Sequence, residues 1–487
     1  MASASKKYAA DFLSFVNASP SPFHAVESAK QRLVKAGFTE ISERNSWASD
    51  IKKGGRYFLT RNGSSIIAFG VGKKWQPGNG MALLGAHTDS PALRIKPVSR
   101  KFGEGGAYIQ VGVETYGGGL WHTWFDRDLS IAGRAMVRDS GKIVSKLVKV
   151  DSPILRIPTL AIHLDRQQNF EFNKETQLFP IAALAETALN KKKEEEKEKS
   201  ESSEKEFSPL SAITERHHAP IVERIAKEAG VSVNDVVDFE IILYDTQPAA
   251  IGGLNDEFIF SARLDNLMMS YCATEGFIES LKSETDLDNE SGIRLISLFD
   301  HEEIGSQTAQ GADSNLLPAV IRRLSVLSLD ASSPSPPSSS AYEETLIKSM
   351  LWSCDQAHAV HPNYGHKYES SHRPEMNKGP VIKINANARY ATNSPGIVLT
   401  QEVAKVAGVP LQLFVVRNDS SCGSTIGPML SAALGARTVD MGNAQLSMHS
   451  IRETGGSKDV EHAVKLFKAY FEKYSELEPT ILVDGAN

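Results

Sequence analysis

Apolar runs bounded by glycine and about half the length a helix needs limit this chain more than any other feature: Ser65 to Gly70 and Met81 to Ala86 read as buried strands. Between and around them lie helical periods. Ser21-Pro22 opens one, Ala25, Val26, Ala29, Leu33 and Val34 supply its apolar face, and Gly37 stops it. A helical run from Asn266 to Leu281 precedes a strand from Arg294 to Phe299, and VIKINAN, LQLFVV and ARTVD read as later strands. Residues 458 to 474 read as a closing amphipathic helix. Helices alternating with apolar strands predict an α/β layer fold.

That alternation stops between about Arg94 and Gly253, where YIQVGVETYGGGL, IAGRAMVRDSGKIVSKLVKV and DFEIILYDT give short strands and turns. The expected organisation is one domain from residues 1–93 and 256–487, with a strand-rich domain from 94–255 inserted into it. Residues 191–206, KKKEEEKEKSESSEKE, contain nothing to bury and are expected to be a disordered surface loop. ASSPSPPSSS at 331–340 reads as a second loop.

Composition narrows the function. A 487-residue chain that is 41% hydrophobic can bury a large core. Its formal net charge of -6, with no basic stripe, speaks against nucleic acid as a partner. The N-terminus lacks a secretory pattern and no window has the apolar length of a membrane helix, so a cytoplasmic location away from membranes is expected. Cys272, Cys354 and Cys422 have no CxxC spacing and read as reduced thiols.

The segments HTDSP (His87–Pro91), LDN (Leu264–Asn266), DHEEIGS (Asp300–Ser306), CDQAHAVHPNY (Cys354–Tyr364) and MHSIRE (Met448–Glu453) mostly follow expected strands. Polar residues there line the crevice at the carboxyl edge of an open sheet. They supply His87, Asp265, Glu302, Glu303, Asp355 and His449, an imidazole and carboxylate set suited to two metal ions with one Glu left as a base. HEEIG is not HExxH, so the single-zinc helix motif does not apply. An extended backbone at Glu302-Glu303 would aim the two carboxylates apart, one at metal and one at water. Asp89, two residues after His87, is expected to orient that imidazole through its other nitrogen. Trp352, Met448 and Cys354 read as packing.

With these segments the chain resembles the aspartyl aminopeptidase family of M18 metallopeptidases along almost its whole length. The resemblance implies a co-catalytic zinc aminopeptidase-like catalytic domain split by a dimerisation domain, with twelve subunits in a tetrahedral shell. It implies that His87, Asp265, Glu303, Asp355 and His449 hold two divalent ions, Asp265 bridging, and that Glu302 is the general base. Zinc suits this ligand set best, with manganese or cobalt as alternatives. Peptides with an N-terminal Asp or Glu are the implied substrates.

Acidic specificity needs a cation in the first pocket. Lys378, Lys383 and Arg389 are candidates, and Lys383 in VIKINAN is favoured by its rigid apolar setting. The resemblance also selects Lys383, adds Tyr390 and His358 to the pocket, and implies that His163 of LAIHLDR reaches the active site of a neighbouring subunit. Two rival readings stand beside this one: a co-catalytic peptidase preferring neutral N-termini, and a noncatalytic assembly or cargo protein.

Overall fold

The structure, a computed structural model, describes residues 2–166, 169–185, 210, 212–329 and 338–483. The charged stretch 191–206 and most of the Pro/Ser segment lie outside the described residues. The chain divides into two compact units, residues 1–90, 249–448 and 452–487 in the first and 91–248 with 449–451 in the second. These divisions fall a few residues from the expected 94 and 255, and the second unit also takes in His449, which the sequence reading assigned to the flanking domain.

The first unit is built on a nine-stranded mixed sheet. Its order is Thr39–Glu40, Arg56–Arg61, Ser65–Val71, Ile293–Phe299, Met81–His87, Met350–Cys354, Arg437–Gly442, Val381–Ile384 and Gln412–Val415. The centre is parallel: Ile293–Phe299 and Met350–Cys354 both run with Met81–His87. The period of two divides the central strand between two cores. Ala82, Leu84 and Ala86 face the helices Ala2–Ala18, Pro22–Lys35, Leu264–Glu279, Ser394–Ala407 and Asp459–Leu477. Met81 and Leu83 face Leu316–Ser325 and Ile426–Leu434. Burial on both faces explains why these strands read as continuous apolar runs. Trp352 packs as expected, stacked on Tyr470 with ring centroids 3.9 Å apart.

A five-stranded sheet joins Ala250–Gly252, Phe258–Ser261, Glu453–Gly456, Ala444–Leu446 and Ala357–His358 in that order. The helix Ala2–Ala18 was not expected, because its first residues carry little apolar signal and its buried Phe12, Phe15 and Val16 depend on a packing partner.

The second unit is a six-stranded antiparallel sheet in the order Lys142–Lys149, Leu129–Asp139, Val236–Asp245, Ala92–Phe102, Tyr108–Tyr116 and Ile181–Leu184. The helix Ala219–Ala229 packs Ile221 and Ile225 into its core. Pro220 sits in that helix's first turn and Gly230 ends it at φ 65°, a left-handed conformation glycine adopts without penalty. Among the described residues no helix is long and apolar enough to cross a membrane, and all three cysteines are free thiols.

Candidate metal centre

Four segments of the first unit deliver the charged cluster from the ends of strands. His87 closes Met81–His87, Glu302 and Glu303 follow Ile293–Phe299, Asp355 follows Met350–Cys354, and Asp265 follows Phe258–Ser261. A Cβ on Gly442 would stand 1.8 Å from the Asp355 carbonyl oxygen, so only glycine lets the neighbouring strand run this close to that residue.

His87 is the hub. It is 1% exposed, and its Nδ1 lies 3.0 Å from the Asp89 main-chain oxygen and 3.3 Å from Asp89 Oδ1. Donation from Nδ1 would leave Nε2, once deprotonated, with a lone pair aimed into the cluster. Nε2 lies 3.3 Å from Asp265 Oδ1, 3.5 Å from Asp355 Oδ1 and 3.7 Å from Glu302 Oε2. Two groups have ligand atoms all within 4.8 Å of one another: His87 with Asp265 and Glu303, and His87 with Glu302 and Asp355.

Asp89 does more than orient the imidazole. Its Oδ1 accepts the Glu302 N–H and its Oδ2 the Glu303 N–H, each at 3.1 Å. The backbone there is not extended. Glu302–Ile304 is a 3₁₀ turn entered through His301 at φ 65°, and the successive carboxylates diverge because a turn of three residues rotates each by about 120°. The expectation of an extended backbone is thus corrected: the sequence offers no local sign of a turn held open by Asp89, which is distant in the chain.

The electrostatics call for cations. Burial pushes the Glu302 carboxyl up to about 8, with Asp355, Asp89 and Asp265 adding to the effect and His87 opposing it. Burial likewise raises Glu303, helped by Asp265. For His87, burial disfavours the charged form, but Glu302, Asp265, Asp355 and Asp89 outweigh it and hold the imidazole well above its usual range. Carboxyls crowded around one imidazole hold protons that a bound cation would displace, as metal binding does at such sites. The fit extends to single atoms: the buried His87 Nε2 and Asp355 Oδ1 have no hydrogen-bond partner among the described residues.

Of the remaining candidates, Lys383 and Tyr390 lie beside Asp355, and the others do not join the cluster. Lys383 is 2% exposed; its ammonium donates to the Gln356 main-chain oxygen at 3.0 Å, lies 3.7 Å from Asp355 Oδ2, and sits 5.2 Å from the Tyr390 ring centre. Tyr390 is buried and His358 exposed. In the second unit, His449 Nδ1 lies 2.9 Å from the Gly118 carbonyl oxygen, and His163 sits exposed in a turn rather than on a strand. Two further residues of the HTDSP and MHSIRE segments engage Asp265: Ser90, whose hydroxyl donates to the Asp265 main-chain oxygen at 2.6 Å, and Glu453, whose carboxylate accepts the Asp265 N–H at 3.1 Å. A polar residue within a site-bearing segment was the only signal for either.

The family model of the aminopeptidase I zinc metalloproteases (M18) matches residues 15–471. A curated aspartyl aminopeptidase of Aspergillus oryzae is 65% identical over 492 residues, covering 98% of each chain. Among solved structures, the complex of Ape4 and Nbr1 matches with a TM-score of 0.90 and 50% identity, covering 99% of this chain and 88% of that one. The Saccharomyces cerevisiae mApe1 dodecamer matches with a TM-score of 0.82 and 32% identity, covering 98% of both chains. An α/β fold with an inserted domain, a buried imidazole and carboxylate cluster at its strand ends, and a family match over nearly the whole length agree: the chain belongs to the M18 family of zinc metallo-aminopeptidases.

Proposed function

We propose that this aminopeptidase removes N-terminal Asp or Glu from peptides, with two divalent ions held by His87, Asp265, Glu303, Asp355 and His449. The observation that carries the reading is that two groups of possible ligands, Asp265 with Glu303 and Glu302 with Asp355, meet at the one buried imidazole of His87. The name of the Aspergillus oryzae relative supports the acidic preference. Zinc is the first choice from the ligand chemistry and the family model, with manganese or cobalt able to replace it.

Bound divalent ions would supply the Lewis acidity that makes water nucleophilic near neutral pH and polarises a carbonyl. The chain's own residues do the rest. Glu302 accepts the proton of the attacking water and returns it to the leaving amine. Asp89 holds Glu302 and Glu303 by their main-chain N–H groups and fixes His87 in the tautomer that presents Nε2.

Lys383 is the proposed reader of the acidic side chain, with Tyr390 and His358 completing the pocket. A buried ammonium supports that role because a carboxylate stripped of water needs a paired charge. The inserted domain is proposed to dimerise and to carry His163 to a neighbouring subunit's substrate carbonyl, where it stabilises the developing oxyanion. Leu160, Ile162 and Leu164 around His163 are 59%, 68% and 77% exposed, an apolar turn suited to burial in an assembly, for which a tetrahedral dodecamer is proposed.

A rate comparison on peptides beginning with Asp, Glu, Ala and Leu, under controlled zinc, manganese and cobalt, tests the reading. Fast cleavage of the two acidic peptides is the expected outcome. Equal rates on all four would leave the metallo-aminopeptidase and discard the acidic preference.

A further inference from the structure

We propose that Glu453 is a positioning residue for the metal centre: its carboxylate holds the Asp265 main-chain N–H and keeps the Asp265 side chain aimed at His87. The inference rests on reading Asp265 as a metal ligand.

Glu453 opens the strand Glu453–Gly456, directly opposite Ser261 of the strand leading to Asp265, and is 2% exposed. Its Oε2 accepts the Asp265 N–H at 3.1 Å and its Oε1 accepts from Gln445 Nε2 at 3.1 Å. On the other side of the same residue, the Asp265 carbonyl oxygen accepts the Ser90 hydroxyl at 2.6 Å. Asp265 therefore has both its main-chain donor and its main-chain acceptor engaged by side chains from remote segments. Local structure cannot replace them. Asp265 has φ -82° and ψ 105°, outside the helical region, and Arg263 before it makes no side-chain cap.

A capping role alone does not account for a carboxylate here. A neutral Gln or Ser would accept the same N–H, whereas a buried carboxylate brings a further negative charge toward Asp265, Glu302, Glu303 and Asp355 and loses its hydration. That charge becomes favourable when cations occupy the cluster. Outer partners of metal ligands act in this way, fixing ligand direction and strengthening its hold on the ion.

The test uses the full chain, stripped of metal and titrated with zinc against a chromophoric chelator, with the melting temperature of the metal-free protein followed in parallel. Glu453→Gln keeps the shape and removes the charge. It should weaken zinc binding about 10- to 100-fold while leaving the metal-free melting temperature unchanged or higher. A purely structural role gives the opposite pair, a lower melting temperature and unchanged zinc affinity, and overturns the proposal. Should Glu453→Gln give no folded protein, Ser90→Ala decides, since it frees the other side of Asp265: weaker zinc binding supports the clamp and unchanged binding overturns it. Asp265→Asn separates the two readings. If it loosens zinc while Glu453→Gln does not, only the Glu453 inference fails. If it leaves zinc binding intact, the ligand assignment itself falls.

Discussion

The cluster around His87 in the first unit and the strand surfaces of the second handle charge in opposite ways. In the first, carboxylates of Asp89, Asp265 and Asp355 are buried around His87, and few positive side chains reach them; Lys383 is the cation that lies 3.7 Å from Asp355. In the second, charges pair across strand surfaces, as Arg94 does with Glu114 at 2.7 Å and Arg134 with Glu240 at 2.5 Å. The second arrangement is complete in protein alone, and the first is not. The expectation that follows is that stability is coupled to metal around His87 and far less so in the strands of the second unit.

Chelation gives the largest expected effect. Hydrolysis should vanish in verified metal-free protein and return with added divalent ion. Hydrogen exchange should quicken around Met81–His87 and Leu264–Glu279 but not in Leu129–Asp139, because an ion at a thousand times its dissociation constant stabilises the state that binds it by about 4 kcal/mol. Uniform quickening in both units would break the comparison.

Glu302→Gln removes a proton carrier and leaves the five proposed ligands in place. Turnover should fall by about 10² to 10⁴ with the metal content, read by atomic absorption, unchanged. Near-normal turnover would move the base to another residue.

Lys383→Met tests the cation of the first unit. Losing one partner of a buried charge pair is worth about 3 to 5 kcal/mol, so peptides starting with Asp or Glu should suffer by that amount in kcat/KM and peptides starting with Leu far less. Equal losses would make Lys383 a partner of Asp355 and nothing more.

The smallest effect belongs to the second unit. Burial holds the His217 imidazole down to about 4, neutral, with Nδ1 2.8 Å from the Ser99 hydroxyl. An unfolded histidine takes its proton near 6.5, so this group stabilises the unit above about pH 6.5 and that contribution is lost as the pH falls toward 4. The urea midpoint of the wild type should therefore drop on acidification more steeply than that of His217→Gln. Parallel curves for the two proteins would show that His217 is not responsible.

What could be read in the sequence followed from how strongly burial constrains composition. Met81–His87 and Ile293–Phe299 stand out because both faces are apolar, and the polar residues just after them mark the cluster. The inserted sheet announces itself by a change of period. What could not be read depends on contacts between remote segments. The turn at Glu302–Ile304 is held by Asp89, the start of Leu264–Glu279 by Ser90 and Glu453, and the burial of Lys383 by its place between Arg437–Gly442 and Gln412–Val415. Ala2–Ala18 needed its partners too, since a modestly apolar helix gains most of its stability from packing.

Outer strands of the nine- and six-stranded sheets carry a last consequence, for solubility. Thr39–Glu40 at one end of the nine-stranded sheet is two residues long, too short to template another chain. The outermost strand Lys142–Lys149 is eight residues long and exposes Ile143 and Leu147, which makes it the more sticky margin. Lys142, Lys146 and Lys149 are spaced along it, and a second copy drawing alongside would have to bring like charges together. Replacing these lysines with threonine is expected to leave the fold unchanged and to raise the tendency of that margin to aggregate, read by light scattering.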